Sequence, residues 1–240
     1  MNPYRELKEI AWKCNMELKN LGLIVHTFGN ASAVDRARGV VAIKPSGVRY
    51  EDLRPEDMVV VRLNNTVVDG ALRPSSDTKT HTLLYRHFPD IGGVVHTHSP
   101  FAVAWAQARR GVPILGTTHA DHLPSDIPCT GSMTARMIKG DYEEETGKLI
   151  VKAFARRSYE DVPMVLVASH GPFAWGATPE KAVHHSYMLE ELSKMAYLTL
   201  QINPSVSRLQ PALIKKHYQR KHGPESYYGQ ANSGPDKGDQ

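Results

Sequence analysis

Two histidines separated by a single residue, His96 and His98, close the apolar run Ile91-Gly92-Gly93-Val94-Val95. Side chains at positions i and i+2 of a β-strand project from the same face, whereas on a helix they would diverge by about 200°. If this segment is a strand, the two imidazoles lie side by side and could bind one metal ion. The alternative is a pair of polar residues at a strand end, each satisfied by ordinary hydrogen bonds.

A third histidine, His170, follows a second apolar run, Val165-Leu166-Val167-Ala168-Ser169, and precedes Gly171-Pro172. A catalytic zinc site typically takes three protein ligands and leaves one position open for substrate or water. We therefore expect His170 to join His96 and His98. Imidazole binds several divalent metals, so these residues alone do not identify the ion.

Two short segments have the residue types of an anion site. Ser75 and Ser76 stand where a helix is predicted to begin, and free backbone N–H groups at a helix start bind phosphate. Lys44-Pro45-Ser46-Gly47 combines a cation, a hydroxyl and a glycine that lets the backbone approach closely. Each segment is also a common turn or cap. Together with the net charge of +4 they favour a phosphorylated substrate.

Two further groups could transfer protons. Asp121 lies between histidines in a polar loop, where a carboxylate could act as an acid or a base. Tyr228, in Tyr227-Tyr228-Gly229-Gln230, could donate a proton to a developing oxyanion near a metal. The alternative for these tyrosines is a hydrophobic clasp onto the core or onto a partner subunit.

The composition is that of a globular protein. The 240 residues are 41% hydrophobic and 22% charged, which excludes wholesale disorder and predicts one domain or two small ones. The apolar runs are far shorter than a membrane span, and residues 1–9 offer no signal-peptide core, so we expect a cytoplasmic protein without membrane contact. Cys14 and Cys129 suit a reducing compartment. The basic stretch 208–221 has no aromatic-interleaved motif, so no nucleic-acid partner is expected.

The periodicity of the chain predicts a single α/β domain. Helices are predicted over 4–21, from Ser75-Ser76-Asp77 onward, and over 99–110, 146–157, 178–202 and 210–221; strands over 23–28, 40–43, 58–63, 66–68, 93–97, 112–118 and 164–169. The domain is expected to span 1–230, with a disordered tail over 231–240.

A series of blocks then resembles the class II aldolase/epimerase family, and within it the L-ribulose-5-phosphate 4-epimerases. The blocks are Thr27-Phe28-Gly29-Asn30, Ile43-Lys44-Pro45-Ser46-Gly47-Val48, Arg73-Pro74-Ser75-Ser76-Asp77, Gly93-Val94-Val95-His96-Thr97-His98-Ser99, Gly116-Thr117-Thr118-His119-Ala120-Asp121, Ser169-His170-Gly171-Pro172-Phe173-Ala174-Trp175-Gly176, Lys221-His222-Gly223 and Tyr227-Tyr228-Gly229-Gln230. Three departures are visible: Phe28 replaces the familiar tryptophan, His122 stands where relatives carry an aromatic residue, and the chain runs past the usual Tyr-Tyr-Gly-Gln end.

The resemblance implies a mostly antiparallel sheet flanked by helices, and a homotetramer with active sites between subunits. It implies one divalent metal per subunit, usually Zn²⁺. The residues implied as metal ligands or neighbours are Asp77, His96, His98 and His170, and those implied for the substrate are Gly29, Asn30, Lys44, Ser46, Gly47, Ser75 and Ser76.

The activity that the resemblance implies is 4-epimerisation of a phosphorylated ketopentose, interconverting L-ribulose 5-phosphate and D-xylulose 5-phosphate by breaking and reforming the C3–C4 bond. Asp121 and Tyr228 would be the acid/base pair, with Tyr228 reaching a neighbouring subunit's site. The alternatives are a sugar-phosphate aldolase or dehydratase of the same fold, and a non-catalytic interaction protein. Aldolase relatives typically carry Glu at the position of Asp77, and the non-catalytic branch is expected to lack the metal histidines.

Overall fold

A sheet of seven strands, all paired antiparallel, forms the centre of the computed structural model, which describes residues 2–223 and Ser226. The strand order across the sheet is β4-β3-β2-β1-β5-β7-β6. The strands are β1 Asn30–Asp35, β2 Val40–Ile43, β3 Val59–Arg62, β4 Val67–Asp69, β5 Gly93–His96, β6 Met164–Val167 and β7 Gly171–Gly176. The predicted α/β domain with a mostly antiparallel sheet is confirmed.

Helices cover both faces of this sheet. They are α1 Arg5–Asn20, α2 Thr78–His87, α3 Pro100–Gln107, α4 Thr117–Ala120, α5 Ala135–Lys139, α6 Tyr142–Ala153, α7 Pro179–Ile202 and α8 Pro211–His222, with a 3₁₀ turn at Pro55–Asp57. α2 and α6 lie on one face, and α1, α3 and α7 lie on the other. No helix of the described part of the chain is long and apolar enough to cross a membrane.

Alternation along the strands places the core on both faces. In β6, Val165 and Val167 pack with the α2 and α6 side chains, whereas Met164 and Leu166 pack with α3 and α7. Because neighbouring residues of a strand point to opposite faces, an unbroken apolar run is what a doubly covered strand requires. The four β6 residues are accordingly all buried.

The strand register brings three chain segments to one edge of the sheet. Asn30, the first residue of β1, lies opposite His96, the last residue of β5. His96 in turn lies opposite Phe173 near the start of β7. A tight turn carries the chain from β6 into β7, and Ser169 adopts a left-handed conformation there with φ 63°. His170 occupies this turn, beside the end of β5.

Two predicted strands are wrong. Residues 23–28 form turns closed by a single bridge between Val25 and Phe28, with His26 in a left-handed conformation at φ 58°. Residues 112–118 contribute only a bridge from Val112 to Ile127, and the segment ends in the first turn of α4. Pro113 lacks the N–H that a continuing ladder needs, which explains the second interruption.

Most other elements match their predictions apart from their ends. The helix predicted over 146–157 begins earlier, at Tyr142, because the Asp141 side chain accepts a hydrogen bond from the Glu144 N–H and caps it. The two central strands β1 and β7 were not predicted. Tyr228 and the tail 231–240 lie outside the described residues, so the domain boundary and the disorder of the tail stay predictions.

We expect Gly93→Ala to destabilise the fold because β5 crosses the start of α7 with no room for a methyl group. A Cβ at Gly93 would lie 2.3 Å from the Pro179 Cα and 2.9 Å from its nitrogen. Forcing atoms into a packed backbone contact costs about 3 kcal/mol at the upper end of overpacking effects. Urea denaturation would measure this loss of free energy of unfolding. Gly131→Ala is the matched control, since a Cβ there meets nothing within 4 Å, and should change stability by less than about 0.5 kcal/mol. Equal stability of the two variants would contradict this account of the β5–α7 contact.

Candidate active site

The three predicted histidines converge at the edge of the sheet. One ligand nitrogen from each of His96, His98 and His170 lies within 4.8 Å of the others. The Nε2 atoms of His96 and His98 are 3.1 Å apart, and the His96 and His170 ring centroids are 4.7 Å apart. Two nitrogens bound to one tetrahedral Zn²⁺ lie about 3.3 Å apart, so the cluster has the dimensions of a single metal site.

Hydrogen bonding prepares these imidazoles to bind a metal. The Nδ1–H of His96 donates to the Pro172 carbonyl at 2.8 Å, which leaves the lone pair on Nε2, facing His98. A histidine that ligates a metal commonly donates its other N–H to a backbone carbonyl in this way. Nδ1 of His170 is buried without a hydrogen-bond partner among the described residues. Burial lowers the pKa of His170 to about 4, so this ring is neutral at pH 7, as a ligand must be.

Asp77 places a negative charge beside the cluster. Its Oδ2 accepts hydrogen bonds from the Asn30 amide at 2.7 Å and from the Ser75 hydroxyl at 3.4 Å. Burial opposes ionisation of this carboxyl, yet His96, His81 and the Asn30 amide together hold the pKa of Asp77 below its usual range. An ionised carboxylate close to three imidazoles favours a divalent cation.

A cavity of about 380 Å³ opens in front of the histidines. All of the residues implied for metal and substrate line it: Gly29, Asn30, Lys44, Ser46, Gly47, Ser75, Ser76, Asp77, His96, His98 and His170. Metal-type and anion-type side chains, separated widely in the sequence, therefore face one volume.

The anion side of this cavity is formed by a bridge between two loops. Ser46 N–H donates to the Arg73 carbonyl at 2.9 Å, and Ser75 N–H donates to the Lys44 carbonyl at 3.0 Å. These two N–H groups are therefore not available to a ligand. Both serines line the cavity with Ser76 and Gly47, and the Ser75 hydroxyl is hydrogen-bonded to Asn30 and Asp77.

Gly29 allows the backbone to pass close to the His96–His98 segment at the floor of the cavity. Its φ is +96°, a conformation that residues with a Cβ rarely adopt, and a Cβ would lie 3.1 Å from the His96 carbonyl oxygen. Only glycine therefore allows the chain to enter β1 directly against the His96–His98 segment.

Lys44 is a buried cation at the anion side. Its ammonium donates to the Val48 carbonyl and lies 4.8 Å from the centroid of the Tyr50 ring. Burial lowers the pKa of Lys44 to about 8. A substrate phosphate in the cavity would offset this desolvation and favour the charged ammonium.

Asp121 does not line this cavity. It follows α4 and is bound by α8: Arg220 donates from Nε to Oδ1 at 2.9 Å and from a terminal nitrogen to Oδ2 at 2.7 Å, and His217 Nδ1 lies 2.9 Å from Oδ1. Burial opposes ionisation here as well, but Arg220 and His217 hold the pKa of Asp121 below its usual range. The second predicted acid/base residue, Tyr228, lies outside the described residues.

Sequence reasoning missed four residues of the site. Phe28, Tyr142 and Glu143 line the cavity, and the ring centroids of Phe28 and His98 are 5.4 Å apart and those of Tyr142 and His170 6.0 Å apart. Behind Asp77, the buried His81 shares a 2.7 Å hydrogen bond with the Ser32 hydroxyl, and burial lowers its pKa to about 3. Tyr142 and Glu143 lie at the acidic start of α6, a segment that contains no recognisable motif. Phe28 was noted only as a departure from the family pattern.

Comparison with known proteins places this arrangement in a wider context. A family model described as the class II aldolase and adducin N-terminal domain matches residues 9–197. An L-fuculose 1-phosphate aldolase superposes with a TM-score of 0.75 at 23% identity, covering 90% of this chain and 95% of that chain. A candidate aldolase/epimerase/decarboxylase, YgbL from Klebsiella pneumoniae, has a TM-score of 0.70 at 21% identity, covering 88% and 97%. An L-fuculose-1-phosphate aldolase from Thermus Thermophilus has a TM-score of 0.64 at 24% identity, covering 83% and 97%.

We expect His96→Ala to lose stoichiometric metal because it removes the imidazole whose tautomer and orientation are held by Pro172 and Phe173. Metal content after dialysis against buffered Zn²⁺ would be measured by elemental analysis, and folding by circular dichroism. His87→Ala, an exposed histidine at the end of α2, is the control and should keep the metal of the parent protein. A folded His96→Ala protein with full metal content would remove His96 from the ligand set.

Proposed function

We propose that this chain, which belongs to the class II aldolase and adducin family, is a divalent-metal-dependent sugar-phosphate enzyme, and specifically an L-ribulose-5-phosphate 4-epimerase. The observation that carries the proposal is a single cavity with the three imidazoles and Asp77 on one side and Ser46, Ser75 and Lys44 on the other. Class II aldolases use a divalent metal, and the cluster has the geometry to bind one. We propose Zn²⁺ as that ion.

The cavity would position a phosphorylated ketopentose by its two ends. Hydroxyls of Ser46, Ser75 and Ser76, with the Lys44 ammonium, would hold the phosphate. The carbonyl end would then face the three histidines. The Oδ1 atom of Asn30 is buried without a partner among the described residues, so it offers an acceptor to a substrate hydroxyl.

The chemistry that this arrangement supports is cleavage and reformation of the C3–C4 bond. A divalent ion bound by His96, His98 and His170 would supply Lewis-acid stabilisation of the charge that develops on the ketose oxygens. Asp77, held by Asn30 and Ser75, would stabilise that cationic centre without moving. For inversion, the aldehyde fragment must turn its other face before the bond reforms, so proton-transfer groups are needed on both sides of C4.

Asp121 and Tyr228 are the groups proposed to transfer these protons. Since Asp121 does not line the cavity of its own chain, a neighbouring copy would have to bring it there. A homotetramer with active sites between subunits satisfies this requirement, and Tyr228 would reach the same site from the segment after α8.

A sugar-phosphate aldolase is the second candidate function. Two of the solved structures with this fold are L-fuculose-1-phosphate aldolases, but at 23% and 24% identity they show a shared fold and not a shared activity. Asp77 in place of the glutamate of aldolase relatives supports the epimerase, since the shorter carboxylate reaches less far into the cavity.

A single assay separates the two functions. Purified, metal-loaded protein is given L-ribulose 5-phosphate, and we expect it to form D-xylulose 5-phosphate. Formation of this product is measured with an enzyme-coupled assay or by NMR. L-fuculose 1-phosphate is tested in parallel for release of an aldehyde. Cleavage of the second compound with no conversion of the first would replace the epimerase by an aldolase. The His96→Ala protein is the blank in both reactions.

Coexpression of two inactive variants tests whether sites form between subunits. His96→Ala removes the metal side of its own cavity, and Tyr228→Phe removes the phenol contributed to a neighbour. If each site draws on two chains, random mixing restores about one quarter of the sites, because one quarter combine two intact halves. Differently tagged chains purified through both tags would be assayed. Activity no higher than that of either variant alone would place the proton donor within the same chain as the metal.

A further inference from the structure

A second histidine cluster lies at the opposite end of β7 from the metal centre. His122, His184, His185 and His222 line one cavity of about 760 Å³, here termed the histidine-rich cavity, together with Gly176 at the end of β7. From this geometry we propose that the histidine-rich cavity is a second site for a divalent transition metal ion. A strand of six residues spans about 17 Å, so this site is separate from the one at Gly171.

Hydrogen bonds to backbone carbonyls orient two of the four imidazoles. His185 Nδ1–H donates to the Trp175 carbonyl at 2.7 Å, which leaves the lone pair on Nε2. His222 Nε2–H donates to the Asp121 carbonyl at 2.9 Å, which leaves the lone pair on Nδ1. This is the arrangement that His96 shows in the first site, and it is the usual second contact of a metal-ligating histidine.

The His184 ring is close enough to the His122 and His185 rings for these three to converge on one ion after side-chain rotations. The His184 centroid lies 6.0 Å from that of His122 and 5.9 Å from that of His185. In the first site the corresponding distances run from 4.7 to 5.4 Å. His184 and His222 are exposed, so their side chains have room to turn towards an ion.

Charged residues of both signs surround the cavity. Burial lowers the pKa of His122 to about 4, and burial also lowers that of His185, so both rings are neutral at pH 7 and offer lone pairs. The charged residues that line the cavity are three carboxylates against one ammonium: Asp90, Glu160, Asp161 and Lys181. Lys221 adds a positive charge near His122, and its ammonium nitrogen lies 3.8 Å from the Asp121 carboxylate.

The ligand chemistry selects the class of ion. Imidazole nitrogen suits Zn²⁺, Cu²⁺ and Ni²⁺, whereas Mg²⁺ and Ca²⁺ require oxygen ligands in larger number. Because His222 is on α8 and His184 and His185 are on α7, a bound ion would join these helices next to Asp121. We expect it to bind more weakly than the ion of the first site, whose ligands already lie within 4.8 Å.

Co²⁺ is the probe for this site because its visible absorption reports nitrogen coordination. The full chain, freed of metal with a chelator, is titrated with Co²⁺ at pH 7.5, and we expect two binding events per chain, the second weaker. His184→Ala should lose the second event and keep the first. His96→Ala should lose the first and keep the second, and Mg²⁺ in excess should displace neither.

The control is His87→Ala, which removes an exposed histidine that lines neither cavity and should keep both events. His222→Ala is a second test, since it removes a ligand from a different helix and should weaken the second event. One event in the parent protein would overturn the proposal. Two unchanged events in both His184→Ala and His222→Ala would overturn it as well, and loss of both events in His96→Ala would assign the second ion to the first cluster.

Discussion

The antiparallel pairing of β5 with β7 is the constraint on which the metal centre depends. His96 lies opposite Phe173 in this pairing and stacks on its ring at 4.2 Å, while Pro172 accepts hydrogen bonds from His96 Nδ1 and from the Thr97 N–H. The turn before β7 therefore places His170 beside the end of β5. A slip of one residue in the register would turn His96 to the opposite face and separate the ligands. The backbone hydrogen bonds between β5 and β7 therefore fix the geometry of the metal centre, and the ligand side chains add little conformational freedom of their own.

A second layer of polar residues connects the metal side of the cavity to its anion side. Asn30 lies opposite His96 in the β1–β5 register, and its amide binds both Asp77 and Ser75, so one side chain spans the two functions. Ser75 is in turn positioned by its backbone bond to Lys44. In the proposed reaction a ketose phosphate would face the metal side with its carbonyl end and the anion side with its phosphate, and Asn30 would lie between the two ends.

The sequence was informative where periodicity and chemistry coincide and poor where they conflict. The period-2 rule was sufficient to bring His96 and His98 together, and α7 was predicted from Thr178 to Ile202, where the structure has it from Pro179. β7 was missed because Gly171-Pro172 is typical of a turn, yet Pro172 lies near the start of the strand and its carbonyl accepts hydrogen bonds from His96 and Thr97. β1 was missed because Asn30-Ala31-Ser32-Ala33 has little strand propensity; its burial between two neighbouring strands decides its conformation. The segments 23–28 and 112–118 have that propensity, yet each makes only one isolated bridge because neither pairs along a neighbouring strand. The loops that carry Lys44 and Ser75 come together through pairing of residues far apart in the sequence, and no local sequence pattern predicts such pairing.

The catalytic role proposed for Asp121 requires more than one chain. A general base must be within reach of the proton that it removes, and it must have a pKa near the working pH. Asp121 meets neither condition in this chain: it does not line the cavity, and Arg220 with His217 saturates its oxygens and holds its pKa down. A substrate hydroxyl bound in a neighbouring copy's cavity would have to displace one of these donors to reach Asp121. The ion pair with Arg220 keeps Asp121 ionised and anchored to α8, so the proposed catalysis by this carboxylate would require assembly to change its partners.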